Sequence, residues 1–346
     1  MKTDILVIGG GPAGLAAALA ARQHGFAVAL VDRSVPPIDK ACGEGVMPDG
    51  VAAAQRLGID LRADGQSFRG IRFCHGERSV ESEFPWGAGL GIRRTTLHQL
   101  MVKQALDAGV QAHWGVRVDF APDQVVVDGE VVDARWIVGA DGGHSSVRAW
   151  AGLDASTHLS HRFGFRRHYR MPPWSEFMEL HWGDGCQVYI TPVGAEEVCV
   201  VLISRDQRLR LDAALNRFPR VAARLGSAGA ATLERGGITA TRRLKTVCRG
   251  RVALVGDASG SVDAITGEGL CLLFQQAVAL ADAFAADDLS LYAAAHPRIG
   301  RRPRLMADLM LTLDAHASLR GMVMGTMAAH PALFSGMLKL HVGQMA

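Results

Sequence analysis

Three glycines near the start of the chain have the spacing of a dinucleotide-binding turn. Gly9, Gly11 and Gly14 form the pattern G-x-G-x-x-G between a short apolar run and an Ala/Leu-rich segment that opens with Pro12 and Ala13. The first glycine permits a tight turn, the second lets the backbone approach a pyrophosphate, and the third lets helix and strand pack closely. The free N–H groups at the helix start would then bind the phosphates. The pattern therefore predicts that these residues bind a dinucleotide.

An acidic residue follows at a distance that suits this motif. Asp32 ends the next apolar run, eighteen residues after Gly14, and Arg33 comes directly after it. A carboxylate at this place can accept hydrogen bonds from a ribose diol, and it disfavours a 2′-phosphate. The turn therefore indicates FAD or NAD rather than NADP. The alternative is a glycine-rich loop that is needed only for packing.

Two later segments also place glycine beside aspartate where a predicted strand ends. The first contains Asp141 and Gly142 in the run Gly-Ala-Asp-Gly-Gly-His-Ser-Ser-Val-Arg, and the second contains Gly256 and Asp257 after Arg-Val-Ala-Leu-Val. In this order the three motifs resemble those of the FAD-dependent monooxygenases of the para-hydroxybenzoate hydroxylase type and of the related geranylgeranyl reductases. The resemblance covers about the first 285 residues.

The resemblance implies a role for each matched residue. Asp141 and Gly142 would touch FAD and the path of a nicotinamide, while Asp257 would hydrogen-bond the ribityl chain. Arg94 would steady the cofactor's phosphates, unless it is a solvated residue at a helix start, in which case Arg93 could replace it. The other expected contacts of FAD are Arg33, Cys42, Gly43, Val118 and Gly256.

The run Thr266-Gly267-Glu268-Gly269-Leu270 resembles the loop under the isoalloxazine ring in these families, so Gly267, Gly269 and Leu270 are also expected contacts. Backbone N–H groups at a helix start would stabilise the negative charge that collects at the N1/C2=O edge of reduced flavin. Ala264 stands where relatives usually have proline, which leaves the rigidity of this loop open. No second G-x-G-x-x-G is present, so NAD(P)H would bind transiently to the same domain, or a partner protein would deliver electrons.

The run Cys42-Gly43-Glu44-Gly45 looks like a segment of the geranylgeranyl reductases, which saturate prenyl double bonds by hydride transfer from reduced FAD. Their aromatic substrate motif is kept only in part, at Tyr189-Ile190-Thr191-Pro192. The intact pattern Asp141-Gly142-x-x-Ser145-x-x-Arg148 instead favours hydroxylases. No Trp-x-Trp-x-Ile-Pro run supports a halogenase.

We therefore expect an NAD(P)H-dependent monooxygenase that uses O2 through a flavin C4a-hydroperoxide. Its substrate would be apolar and aromatic or conjugated, such as a polyketide, a lipid-tailed phenol or an isoprenoid. The alternative is a reductase of isoprenoid C=C bonds, and a third reading is an electron-carrying flavoprotein. The protein would supply a dry pocket and orientation, because the cofactor carries the chemistry.

The substrate-side candidates lie in a strand-rich block. A histidine or tyrosine there could deprotonate a phenol, and His181 and Tyr189 are the candidates, with His168 and Glu179 nearby in sequence. The alternative is that all four are half-exposed strand residues. Cys42 is a third catalytic candidate, although a free cysteine is often only a small buried apolar residue.

Composition excludes several other classes of function. The net charge is only 37 − 34 = +3, and no Lys/Arg cluster is interleaved with aromatic residues, so no nucleic acid partner is expected. The six cysteines are spread out without a CxxC pair, which argues against a metal site and favours a reducing, cytoplasmic compartment. No run of about 20 apolar residues predicts a membrane span.

The order of predicted elements indicates an α/β fold. We expect a doubly wound, Rossmann-like FAD-binding domain of the glutathione-reductase-like kind, interrupted by a strand-rich substrate domain and closed by a helical tail. The FAD-binding domain would comprise 1–67, 93–157 and 245–288, the substrate domain 68–92 and 158–244, and the tail 289–346. Strands are expected at 4–8, 27–32, 68–73, 78–84, 112–119, 125–132, 135–140, 161–170, 176–182, 186–191, 197–203 and 251–255, and helices at 12–24, 94–108 and 268–286.

The tail holds seven of the twelve methionines, with apolar residues at helical spacings. It could simply cover the substrate domain, or its flexible methionines could line a wide apolar pocket. It could also make peripheral contact with a membrane, with Arg301, Arg302, Arg304 and Lys339 near lipid phosphates. Each of the last two readings predicts a hydrophobic substrate.

Overall fold

The computed structural model describes residues 1–342 of the chain, apart from the side chains of His158 and Leu159. Its strands are Lys2–Ile8 (β1), Val28–Asp32 (β2), Gly45–Val46 (β3), Gln66–Phe68 (β4), Gly70–His75 (β5), Arg78–Glu83 (β6), Gly89–Gly91 (β7), Gln111–Trp114 (β8), Val118–Ala121 (β9), Gln124–Val127 (β10), Glu130–Gly139 (β11), Ser156–Arg170 (β12), Phe177–Trp182 (β13), Cys186–Gly194 (β14), Glu197–Ser204 (β15), Gly229–Ala230 (β16), Arg235–Leu244 (β17), Cys248–Arg249 (β18) and Val252–Leu254 (β19).

The helices include one long apolar helix late in the chain and four that follow it. They are Pro12–Gln23 (α1), Pro48–Arg56 (α2), Arg94–Asp107 (α3), Ser146–Trp150 (α4), Leu211–Leu215 (α5), Pro219–Leu225 (α6), Gly269–Ala285 (α7), Leu289–Ile299 (α8), Arg301–Ala315 (α9), Ala317–Ala329 (α10) and Pro331–Val342 (α11). Two short 3-10 helices occupy Gly256–Ser259 and Ala264–Thr266.

The first sheet has the strand order β18-β19-β11-β1-β2-β8, and β1, β2, β8, β11 and β19 are parallel. Its central strand is buried on both faces, as a continuous apolar run predicts. Ile5 and Val7 pack with residues of α1, α3 and α7 on one face. Leu6 and Ile8 pack on the other face, against the β9–β10 hairpin and α4. This is the predicted Rossmann-like layer.

The second sheet is mainly antiparallel, in the order β16-β12-β15-β14-β13-β5-β6, with β17 also paired to β12. The β5–β6 hairpin joins it through a parallel pairing with β13, so an early segment completes a sheet built mostly from later strands. Strands β3, β7 and β4 form a small third sheet. The predicted α/β fold with a strand-rich insertion is confirmed.

Two predicted strands are interrupted in the structure and one strand was missed, for identifiable reasons. The run 112–119 is broken at Gly115, which has a φ of +74°. The run 125–132 is divided by Asp128 and Gly129, which have φ of +48° and +87° and form the two-residue turn between β10 and β11. An Asp-Gly pair favours such a turn. Strand β17 was not predicted, because its arginine-, threonine- and glycine-rich sequence is largely exposed and lacks an apolar pattern.

Helices α9 to α11 cover the second sheet. Phe334 and Leu338 of α11 are buried, and the Phe334 ring lies 5.0 Å from that of Phe73 in β5. Leu305 and Leu340 face outward, at 70% and 73% exposure. Residues 343–346 of the predicted tail lie outside the described residues. Of the helices in residues 1–342, none has the length and apolar character that crossing a membrane requires.

A buried ion-pair network connects these helices to the loop before α7. Arg162 of β12 is 1% exposed, with its Nε 2.8 Å from Asp263 Oδ1 and its Nη2 3.0 Å from Asp314 Oδ2 in α9. Gln187 of β14 donates a second hydrogen bond to Asp314. One guanidinium therefore compensates two buried carboxylates that lie on different parts of the fold.

We predict that Arg162→Met lowers the free energy of unfolding by about 3–5 kcal/mol, because it leaves Asp263 buried without a counter-charge and leaves Asp314 paired only with the half-exposed Arg205. Urea unfolding of the protein measures this loss. Arg205→Met is the matched control, since Arg205 also pairs with Asp314 but is 57% exposed, and it should cost at most about 1 kcal/mol. Equal losses in the two variants would contradict the analysis.

Candidate functional site

The turn between β1 and α1 is closely packed at two of its three glycines. Gly9 has a φ of +113°, and a side chain there would overlap the carbonyl of Ala140. A side chain at Gly14 would overlap the carbonyl oxygen of Gly9. Gly11 is different, because a Cβ placed there meets only Arg94 Nη2, at 3.9 Å. The fold requires glycine at 9 and 14, whereas glycine at 11 leaves open space at the start of α1.

Asp32 helps to fix the shape of this turn. Its Oδ2 accepts a hydrogen bond from the Gly10 N–H at 2.6 Å, and its Oδ1 accepts one from the Ser34 N–H at 2.7 Å. Each oxygen keeps a second lone pair for a further donor. Arg33 is exposed. The carboxylate therefore holds the turn and can still bind a ribose hydroxyl.

Val118 was expected to touch the cofactor, but its contacts lie in the β9–β10 hairpin. It pairs with Val127 and packs against the cluster that contains Ile8. Val116, two residues earlier, donates its N–H to the carbonyl of Asp32 at 3.1 Å. The structure thus brings Val116, rather than Val118, next to the end of β2.

The second motif forms a tight loop after β11. Asp141 Oδ2 accepts from the N–H groups of Ser146 and Val147, at 2.7 and 3.1 Å, at the start of α4. Its Oδ1 is buried and lacks a hydrogen-bond partner within residues 1–342. Gly142 has a φ of +84°, and a side chain there would approach Lys40 Nζ. An unpartnered buried carboxylate oxygen fits a hydroxyl group of a bound ligand.

The third motif packs directly against the first. Gly256 has a φ of +59°, and a Cβ there would come within 2.6 Å of the side chain of Ala13. Arg148 connects the second and third motifs, because its guanidinium donates to the carbonyls of Gly143 and Ala258 at 2.8 and 3.1 Å. Asp257 is exposed beside these contacts. All three segments therefore meet at the N-terminus of α1.

Arg94 is buried, so the alternative of a solvated arginine at a helix start is wrong. It is 8% exposed, its Nη2 lies beside Gly11, and its Nε has no hydrogen-bond partner among the described residues. Burial lowers the pKa of Arg94, although nearby acidic groups oppose this effect. Arg93 instead forms an ion pair with Glu197, with 3.5 Å between its Nε and Glu197 Oε2. An incompletely paired guanidinium at a helix N-terminus fits the pyrophosphate of a dinucleotide.

The loop before α7 is open at its glycines and anchored at both sides. Apart from chain neighbours, no atom of residues 1–342 lies within 4 Å of a Cβ placed at Gly267 or Gly269, and Leu270 is buried. Asp263 Oδ1 accepts from the Ile265 N–H at 3.0 Å, and the Tyr189 hydroxyl donates to the Ile265 carbonyl at 2.5 Å. These bonds fix the loop although Ala264 replaces proline. The open glycines leave room for a flat ring against the backbone.

Glu44 is a functional candidate that the sequence reasoning missed. It is 1% exposed and has a φ of +59°, which is unusual for glutamate. Its Oε1 accepts from the Arg94 N–H at 2.9 Å and from Arg166 Nη1 at 2.8 Å, and its Oε2 lies 2.7 Å from His168 Nε2. The Cys-Gly-Glu-Gly run contained the signal, but attention went to the cysteine. Strain of this kind is typical of functional sites.

Cys42 lies two residues before this carboxylate. Its Sγ accepts a hydrogen bond from the Glu44 N–H at 3.3 Å, yet burial raises the pKa of the Cys42 thiol, so the thiol is neutral at pH 7. Glu44, His168 and Cys199 place potential ligand atoms within 4.8 Å of one another. Since Arg166 and His168 already bond the carboxylate, a hydrogen-bonded network explains this cluster without a metal. Gly43 adds open space beside Cys42.

The structure brings Tyr189 to the loop before α7 but does not bring His181 there. Burial raises the pKa of Tyr189. Successive side chains of a strand point to opposite faces of a sheet. Because Leu180 of β13 pairs with Tyr189, Glu179 and His181 lie on the face opposite to Tyr189. His181 Nε2 lies 2.9 Å from Glu179 Oε2, and its ring contacts Phe218. Glu179 also accepts from Arg72 at 2.7 Å. These side chains form a structural network away from the loop.

An apolar crevice separates the loop before α7 from the covering helices. Tyr189, Ile265 and Thr266 lie at one side of it. Its other lining residues are Ile71, Phe73, Met178, Leu180, Met306, Met310, Phe334, Met337, Leu338 and His341. Three tail methionines therefore line a narrow apolar space next to the open glycines.

Comparisons with known proteins agree with this geometry. The chain is 28% identical over 303 residues to a menaquinone reductase of Mycolicibacterium smegmatis, covering 78% of this chain and 73% of that protein. It is 27% identical over 323 residues to an FAD-dependent urate hydroxylase of Klebsiella pneumoniae, covering 81% and 80%. The structure of p-nitrophenol 4-monooxygenase from Pseudomonas putida superposes with a TM-score of 0.82 over 100% of both chains at 17% identity, which shows the fold alone.

A sequence profile, described as an FAD binding domain, matches residues 2–200, which is more than half of the chain. This range contains the first two motifs, Arg94 and most of the second sheet. Menaquinone reductases and hydroxylases among the relatives are all oxidoreductases by name. The chain thus belongs to the FAD binding domain family and is an FAD-dependent oxidoreductase.

Proposed function

We propose that the protein is an NAD(P)H-dependent monooxygenase of an apolar aromatic or conjugated substrate. The observation that carries this proposal is the apolar crevice beside the loop of Gly267 and Gly269, which is lined mainly by apolar side chains from the sheet and the tail. Hydroxylation by flavin requires such a dry, shaped space. The relatives that are named hydroxylases support the same reaction class.

In this proposal the chain holds FAD along the three converging segments. Gly11 and Arg94 bind the pyrophosphate, because open N–H groups and a buried guanidinium meet there. Asp32 accepts from the adenosine ribose, and Asp141 and Asp257 lie where the rest of the cofactor would extend. The N–H groups around Gly269, at the start of α7, favour negative charge on the ring. Bound FAD, once reduced, supplies either oxygen activated from O2 or a hydride.

Substrate-side groups in the proposal act by position. The Tyr189 hydroxyl donates to the Ile265 carbonyl and so fixes the loop rather than acting as a base. Met306, Met310 and Met337 adapt to an apolar substrate and keep water out. NAD(P)H would approach transiently near Gly142, where Lys40 offers a positive charge.

A reductase of isoprenoid C=C bonds is the second candidate. It is favoured by the neutral thiol of Cys42 beside open space at Gly43, because C=C reduction needs a proton as well as a hydride. Relatives named menaquinone reductase and digeranylgeranylglycerophospholipid reductase 2 support it. Both candidates use the same crevice and differ in the fate of O2.

We predict that Gly11→Val removes FAD without unfolding the chain. The space at Gly11 is open and its φ of −69° suits valine, but the added methyl groups would keep the pyrophosphate from the backbone. Absorbance near 450 nm per protein and unfolding of the flavin-free protein measure the two effects. Gly229→Val, at an exposed and open strand position, should keep the yellow colour. Retention of FAD by Gly11→Val would refute the assignment of this turn.

We also predict that turnover consumes O2. With NADH or NADPH and a lipid-tailed phenol, substrate-linked oxidation of the nicotinamide should take up one O2 per nicotinamide, and the product should gain one oxygen atom. An oxygen electrode and product mass spectrometry measure this. Anaerobic turnover of a prenylated substrate, with two hydrogens gained per bond, would instead establish the reductase.

A further inference from the structure

A second, more polar cavity opens between α2, α7, α9 and α11. Its polar lining comprises Asp49, Gln275, Glu268, Arg298, Arg302 and His341. His341 also lines the apolar crevice, where Thr266 lies two residues before Glu268. His341 therefore lines both spaces. The polar cavity has a volume of about 600 Å³ and also has an apolar side, which includes Trp86, Leu272 and Val342.

Two side chains that line the polar cavity are buried and incompletely hydrogen-bonded. Glu268 is 3% exposed and His341 is 8% exposed, and Glu268 Oε1 lies 3.5 Å from His341 Nε2. Glu268 Oε2 and His341 Nδ1 have no partner in the described part of the chain. Buried polar atoms are nearly always hydrogen-bonded, and leaving them unpaired is costly. Both residues line a cavity, so a ligand can supply the missing bonds.

The charge state of the pair indicates what kind of ligand fits. Burial, assisted by the negative charge of Asp49, raises the pKa of Glu268 well above its usual value. Burial lowers the pKa of His341 to about 4. Both shifts favour the uncharged forms, a carboxylic acid beside a neutral imidazole. Such a pair can hydrogen-bond an uncharged oxygen, such as that of a phenol hydroxyl or a quinone carbonyl. Arg298 and Arg302 also line the cavity, but both are exposed.

We propose that Glu268 and His341 bind the oxygen of a neutral ring head group, whose apolar tail packs on the apolar side of the same cavity. This inference rests on the proposed function, because it names the substrate class as a tailed phenol or quinone. Glu268 donates a hydrogen bond to the head-group oxygen, and His341 Nδ1 contacts the same group. The head group then lies at Glu268, between Gly267 and Gly269 in the chain, and the tail extends along the apolar side of the cavity.

The test compares two ligands that differ only at this oxygen. Binding of 4-hexylphenol and of 4-hexylanisole to the FAD-loaded protein is measured by isothermal titration calorimetry. We expect the wild type to bind the phenol about five- to tenfold more tightly, the range of one or two modest hydrogen bonds. Glu268→Met and His341→Phe should each reduce the preference to less than about twofold. Glu268→Gln keeps a donor and should retain most of it.

Leu340→Gln is the matched control on α11, because Leu340 is 73% exposed and faces away from both spaces. It should leave the preference unchanged. Equal binding of the two ligands by the wild type, or a preference that survives in both Glu268→Met and His341→Phe, would overturn the proposal. Absence of turnover together with an intact phenol preference would refute the proposed function alone. Turnover without any preference would refute this inference alone.

Discussion

The start of helix α1 lies so close to two other segments that side chains are excluded on both sides of it. The carbonyl of Ala140 occupies the space beside Gly9, and Ala13 occupies the space beside Gly256. These contacts fix three loops that are far apart in sequence relative to one helix N-terminus. Because a dinucleotide is held mainly by backbone groups and a helix dipole, this packing alone creates most of its binding surface. The second sheet and the C-terminal helices form the apolar crevice beside that surface.

Around this contact, a few buried charges hold the separate parts together. Glu44 connects the Cys42 segment to α3 and β12, through the backbone N–H of Arg94 and the side chains of Arg166 and His168. Buried ion pairs of this kind add specificity of arrangement more reliably than they add stability. Here they join three segments that are distant in the sequence.

The sequence predicted the parts of the site that depend on local backbone geometry. Gly9, Gly142 and Gly256 are such parts, because each has a positive φ within a short, readable motif. It did not predict the role of Glu44, whose bond to Arg166 joins residues 122 positions apart. His181 shows a second limit. Both faces of β13 are largely buried, so alternation pairs His181 with Glu179 but does not tell which face borders the crevice.

The ion pairs of Arg162 have a consequence for how the protein is made. Arg162 pairs with Asp263, whose carboxylate accepts from the Ile265 N–H in the loop before α7, and its second partner is Asp314, near the end of α9. A nascent chain that has emerged only as far as α7 already contains every glycine and aspartate motif, yet it still lacks this partner. The buried ion-pair network of Arg162 is therefore complete only after α9 has been translated.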